Sequence, residues 1–101
     1  MPYQQVPDIQ PEEAQARLKE GALLLDVRRH DEFTEARIPG SVLIVLDELQ
    51  ARVSELPNDR SIIVHCKSGG RSARAAAWLR SNGFDAVNLD GGIDEWAQQG
   101  L

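Results

Sequence analysis

Short, almost unbroken apolar runs alternate along this chain with stretches of helical spacing, and this order of elements limits the folds open to it more than any other feature. Residues 22–27 are apolar except for Asp26, residues 42–45 are apolar and mostly β-branched, residues 61–65 hold Ile62, Ile63 and Val64, and residues 86–89 form a fourth run. Runs without polar alternation read as strands buried on both faces, as in a parallel sheet. Between them, Pro11 opens a helix with Glu12 and Glu13 in its first turn, and Ala14 and Leu18 share one face. Residues 31–36 read as a brief helical turn, and Ile38-Pro39-Gly40 as a tight turn. Leu46, Leu49, Val53 and Leu56 follow helical spacing until Pro57, and the alanine-rich residues 72–82 predict a helix capped by Gly83, with Phe84 as its apolar contact. After a turn at Gly91-Gly92, Ile93, Trp96 and Ala97 mark a last short helix. The expected fold is therefore α/β: a small, mostly parallel sheet with helices on both faces.

The chain has 101 residues, enough for one domain over residues 1–101, with residues 1–7 expected to be loosely held. No repeat, low-complexity tract or linker interrupts it. No apolar run approaches the roughly 20 residues of a membrane span, and no basic segment precedes an apolar one at the N-terminus. A net charge of −5 argues against nucleic acid or an anionic membrane as partner. Cys66 is the only cysteine, so an internal disulfide is excluded, and no metal-ligand spacing or nucleotide-type glycine motif is present. These features lead to the expectation of a cytoplasmic monomer with no cofactor and no metal.

The acidic total hides an uneven distribution. Residues 67–84 carry no acid and four bases, Lys67, Arg71, Arg74 and Arg80, and Cys66 stands at the edge of that stretch. The four cations alone would fit a basic helix face, and a lone cysteine alone would fit a small inert core residue. The residues from Cys66 to Ser72 favour a different reading. The segment Cys66-Lys67-Ser68-Gly69-Gly70-Arg71-Ser72 follows the clearest strand and precedes the most helical stretch. Ligands of open parallel sheets bind at the carboxyl ends of strands. The glycines permit a tight loop whose N–H groups can converge on an anion, and the following helix aims its positive end at the same point. Together with Lys67 and Arg71, these effects favour a thiolate at Cys66. His65 is adjacent in sequence but points to the opposite sheet face, and is expected to be packed or hydrogen-bonded. His30 is expected on a loop, and Trp78 and Trp96 in the core.

On these residues the chain resembles the rhodanese family of sulfurtransferases over nearly its whole length. The loop from Cys66 to Ser72 is similar to the family's cysteine loop, and Asp26-Val27-Arg28 with Glu32-Phe33 to its early Asp-Val-Arg motif. Ile38-Pro39-Gly40-Ser41 resembles its Ile-Pro-Gly-Ala turn, and Leu89-Asp90-Gly91-Gly92 with Trp96 its closing signature. Arg37 stands where a histidine is frequent, and Ser41 where alanine is usual; both lie outside the cysteine loop. The resemblance implies a three-layer fold with about five strands and a single-domain thiosulfate sulfurtransferase. Cys66 would take sulfane sulfur from an anionic donor such as thiosulfate, hold it as a persulfide, and yield it to cyanide, a thiol or a partner protein. Lys67, Ser68, Gly69, Gly70, Arg71 and Ser72 would bind substrate, and Asp26 and Arg28 would brace the framework. Other readings are a sulfur carrier or interaction module serving one partner protein, and a phosphatase or arsenate reductase of the same fold. Against the last, Cys66 to Arg71 spans six residues, one fewer than the loop of cysteine phosphatases.

Overall fold

The computed structural model describes residues 6–101. Among these residues, five parallel strands form one sheet: β1 (Asp8–Ile9), β2 (Leu23–Asp26), β3 (Val42–Leu43), β4 (Ile62–His65) and β5 (Ala86–Leu89), in the spatial order β1-β5-β4-β2-β3. The longer helices are α1 (Pro11–Lys19), α2 (His30–Glu35), α4 (Gly70–Ser81) and α5 (Gly92–Gln98). The segment between β3 and β4 is one short helix, α3 (Leu49–Arg52), flanked by 3-10 turns at Leu46–Glu48 and Val53–Glu55. Its apolar spacing is helical, yet it breaks into three tight pieces, with Leu49 and Leu56 buried.

Alternation along the central strands divides the core in two. Leu25, Ile62, Val64 and Cys66 face α3 and α4, where Ala75, Ala76 and Leu79 meet them. Leu24, Ile63, Val87 and Leu89 face the other side, with Ala14 of α1 and Trp96 of α5. Each fully buried Leu, Ile or Val contributes about 1.5–3 kcal/mol relative to exposure. The two layers therefore fix both faces of β4, and with them the direction of the chain as it leaves the strand. At the far end of α4, the Gly83 and Phe84 N–H groups donate to Arg80 and Leu79, which stops the helix as the sequence predicts.

Two expectations need correction. The run at residues 42–45 is a strand only at Val42–Leu43; the Ile44 N–H still donates to the Asp26 carbonyl of β2 at 3.0 Å, but the chain then turns into the 3-10 segment at Leu46. The expectation for residues 1–7 falls mostly on Met1 to Gln5, which lie outside the described residues. Val6 packs on the α4 side of the core, and the Pro7 carbonyl accepts the Asn88 N–H at 2.9 Å. That contact leads into β1, an edge strand too short to show a period in sequence. The second correction concerns α4, which begins at Gly70 rather than Ser72. Gly69 takes φ +118° and turns the chain directly into the helix, so Arg71 sits in its first turn.

Candidate active site

Cys66 follows β4 directly and is 1% exposed. Its Sγ receives the Gly69 N–H at 3.1 Å and the Ser72 N–H at 3.4 Å, with the Ser72 hydroxyl at 3.3 Å. Burial pushes the thiol up, but the Ser72 hydroxyl and the N–H groups of Ser72, Gly69 and Ser68 outweigh it and hold its pKa below the usual thiol value. The Ser72 hydroxyl has one proton and two further acceptors in reach, Asn88 Oδ1 at 2.6 Å and the Gly69 carbonyl at 3.2 Å. A neutral thiol competes poorly with the Asn88 carbonyl for that proton; a thiolate competes well, since charge-assisted bonds are the stronger ones.

The loop is held from behind by α5. The Ile93 N–H donates to the Cys66 carbonyl at 2.9 Å and the Asp94 N–H to the Lys67 carbonyl at 3.1 Å. These bonds turn the two carbonyls away from Sγ. Gly92 makes the approach possible: at φ +59°, a Cβ there would lie 2.5 Å from the Lys67 carbonyl oxygen and closer still to that of Cys66.

Lys67 and Arg71 do not act on Sγ as free charges. Arg71 grips Glu32 of α2 with both guanidinium nitrogens, at 2.7 and 3.0 Å, and Lys67 Nζ lies 3.0 Å from Asp94 Oδ2. Neutral donors therefore make the hydrogen bonds at sulfur, and Arg71 acts on it only through space. Arg71 and the Arg29 N–H hold the Glu32 carboxyl down to about 2. A cleft of about 620 Å³ opens beside the loop, bordered by Arg28, Arg29, Glu32, Lys67, Arg71 and Asp94 among others.

Beneath the loop, Asp26 and Arg28 form a buried ion pair. Arg28 Nη2 lies 2.8 Å from Asp26 Oδ2, its N–H and Nε also donate to the carboxylate, and Nη2 reaches the Ala36 carbonyl at 2.7 Å. The pair thus ties the end of β2 to the end of α2, which carries Glu32. His65 is fully buried on the opposite face from Cys66, with Nδ1 3.3 Å from the Cys66 carbonyl and Nε2 3.6 Å from Asp26 Oδ2. Burial lowers its pKa more than Asp26 raises it, so the ring is neutral. His30 begins α2 and is exposed; Trp96 is buried and Trp78 only partly so.

Sequence reasoning missed Asn88, which links Ser72 to Asp8 through a 2.9 Å bond from its Nδ2. The available signal was an asparagine inside an otherwise apolar strand, a place where such residues are depleted. It also missed the carboxylate partners of Arg71 and Lys67, since Glu32 and Asp94 are 39 and 27 residues away.

Residues 10–99 match the family model of the Rhodanese-like domain. The chain is 40% identical over 83 residues to a sulfurtransferase of Allochromatium vinosum, covering 81% of this chain and 78% of that protein. It is 38% identical over 89 residues to the thiosulfate sulfurtransferase GlpE of Pseudomonas syringae pv. syringae, covering 87% and 84%. Among solved structures, a rhodanese-related protein from Thermoplasma volcanium matches with a TM-score of 0.89 at 30% identity, covering 94% of each chain.

Proposed function

The chain belongs to the rhodanese family, and on that footing we propose that it is a sulfurtransferase that carries sulfane sulfur on Cys66. The Cys66 thiolate attacks the outer sulfur of a donor such as thiosulfate; the new S–S bond forms as the old one breaks, and sulfite leaves with the electron pair. A thiophilic acceptor (cyanide, a thiol or a partner protein) then takes the outer sulfur and returns the thiolate. The observation that carries this reading is the convergence of Gly69 N–H, Ser72 N–H and Ser72 Oγ on one buried sulfur. Such donors stabilise an anion without moving during the reaction.

Intact mass spectrometry of the reduced protein, before and after thiosulfate, tests this. Wild type is expected to gain one sulfur and Cys66→Ser none; a wild type that gains none contradicts the reading. With a single thiol in the chain, no internal cysteine can resolve the persulfide, so the acceptor comes from outside. This favours a reducing compartment, the cytoplasm, as its setting. It equally suits delivery to a dedicated partner, which fast transfer to that partner and slow turnover with small acceptors would reveal. Phosphoryl transfer finds less support, since the arginine of the loop is already gripped by Glu32 on both nitrogens.

A further inference from the structure

The two cations of the cysteine loop differ in how firmly they are neutralised. Glu32 meets Arg71 in a two-pronged pair at 2.7 and 3.0 Å. This is the geometry by which a guanidinium would otherwise bind a sulfonate. The Glu32 side chain is 16% exposed and is further fixed by accepting the Arg29 N–H at 3.0 Å. With its carboxyl held to about 2, it stays charged at every working pH. Lys67 and Asp94 pair at 3.0 Å, but both are about half exposed, so water weakens that pair.

An anionic donor entering this cleft meets fixed carboxylates as well as cations. Repulsion scales with the charge of the donor, so a dianion suffers about twice what a monoanion does at the same distance. Only displacing Glu32 from Arg71 would free the guanidinium for the donor. We propose that Glu32, assisted by Asp94, sets the charge class of the sulfur donor: by occupying Arg71 it disfavours dianionic donors against monoanionic ones. This inference rests on the sulfur-transfer reading above.

Thiosulfate and methanethiosulfonate separate charge from chemistry. In both, the Cys66 thiolate attacks the terminal sulfur and forms an S–S bond. The bond from that sulfur to the sulfonyl sulfur breaks, and its electron pair leaves with sulfite or with methanesulfinate. No oxidant is consumed, and the persulfide is the same; the first donor is a dianion, the second a monoanion.

The test measures kcat/KM for both donors with cyanide as acceptor, in wild type, Glu32→Gln and Asp94→Lys, each checked for folding by thermal denaturation. Glutamine preserves the shape and supplies an amide oxygen in place of the carboxylate oxygen that accepts the Arg29 N–H. Removing one fixed charge beside the donor is expected to raise the thiosulfate-to-methanethiosulfonate ratio about tenfold in Glu32→Gln, and reversing the exposed charge about fivefold in Asp94→Lys. A merely structural role would lower both donors together and leave the ratio where it was. A folded Glu32→Gln whose ratio stays within about twofold of wild type overturns the inference. Should that variant not fold, an unchanged ratio in Asp94→Lys overturns it. A wild type that gains sulfur from neither donor overturns the sulfur-transfer reading itself, a result distinct from an unchanged ratio.

Discussion

Burial alone would raise the pKa of the Cys66 thiol; the donors of Gly69 and Ser72 outweigh it and lower it. Ser72 matters twice, through its N–H in the first turn of α4 and through a hydroxyl shared between Sγ and Asn88. Ser72→Ala keeps the N–H and loses the hydroxyl. The thiol midpoint is then expected to move up, and alkylation of Cys66 by iodoacetamide at neutral pH to slow about fivefold, since a hydrogen bond to a charged group is lost. The pH profile of alkylation checks the direction: a midpoint unchanged from wild type would mean that the two N–H groups suffice. The cysteine, the glycines and Ser72 were legible in sequence because they are contiguous. Asn88, Glu32 and Asp94 were not legible as partners, because only folding brings distant strands and helices to one loop.

At the scale of elements, the cysteine loop is the meeting point of β4, α4 and α5. α4 presents N–H groups to sulfur, while the first turn of α5 binds the carbonyls of Cys66 and Lys67 from the other side. Gly92 is the hinge of this arrangement, with positive φ and no room for a Cβ against two backbone carbonyls. Backbone cannot swing aside as a side chain can. Gly92→Ala is therefore expected to destabilise the fold by at least about 2 kcal/mol, from the left-handed conformation together with the clash. Urea unfolding measures the loss, and a variant as stable as wild type would show that α5 can back away freely. Sequence patterning marked Gly91-Gly92 as a turn, but the reason for the second glycine lies in the loop it touches, 26 positions earlier in the chain at Cys66.

For the whole molecule, two buried or half-buried groups tie stability to acidity. His65 is neutral in the core, with its pKa lowered chiefly by burial. The unfolded chain therefore binds its proton first, so the stability His65 contributes is full above its usual value of 6.5 and is lost as pH falls through it. Glu32 has its carboxyl held at about 2 against a usual 4.5, so the stability of its pairing is present above 4.5 and is lost as pH falls toward 2. Urea midpoints are expected to fall in two stages on the acid side of neutrality. His65→Gln should flatten the first stage and spare the second; a variant with the wild-type first stage would remove His65 as its cause. Both groups lie around the Asp26–Arg28 pair, which joins β2 to α2 beneath the cysteine loop. The frame of the candidate site and the acid response are therefore one piece of structure.

The order of apolar runs and helical stretches determined the parallel sheet, since only strands buried on both faces can carry them, and the contiguous segment from Cys66 to Ser72 determined where the thiol and its donors lie. Tertiary structure alone decided the electrostatics around it. Lys67 and Arg71 read as free cations in a stretch without acids, yet α2 and α5 bring Glu32 and Asp94 onto them. The reason is physical: composition along a chain records charge by neighbourhood in sequence, whereas a charge in a folded site is set by what lies within a few ångströms of it. The hydrogen bonds at Cys66 Sγ thus come from neutral donors, while the cations beside it are paired with Glu32 and Asp94.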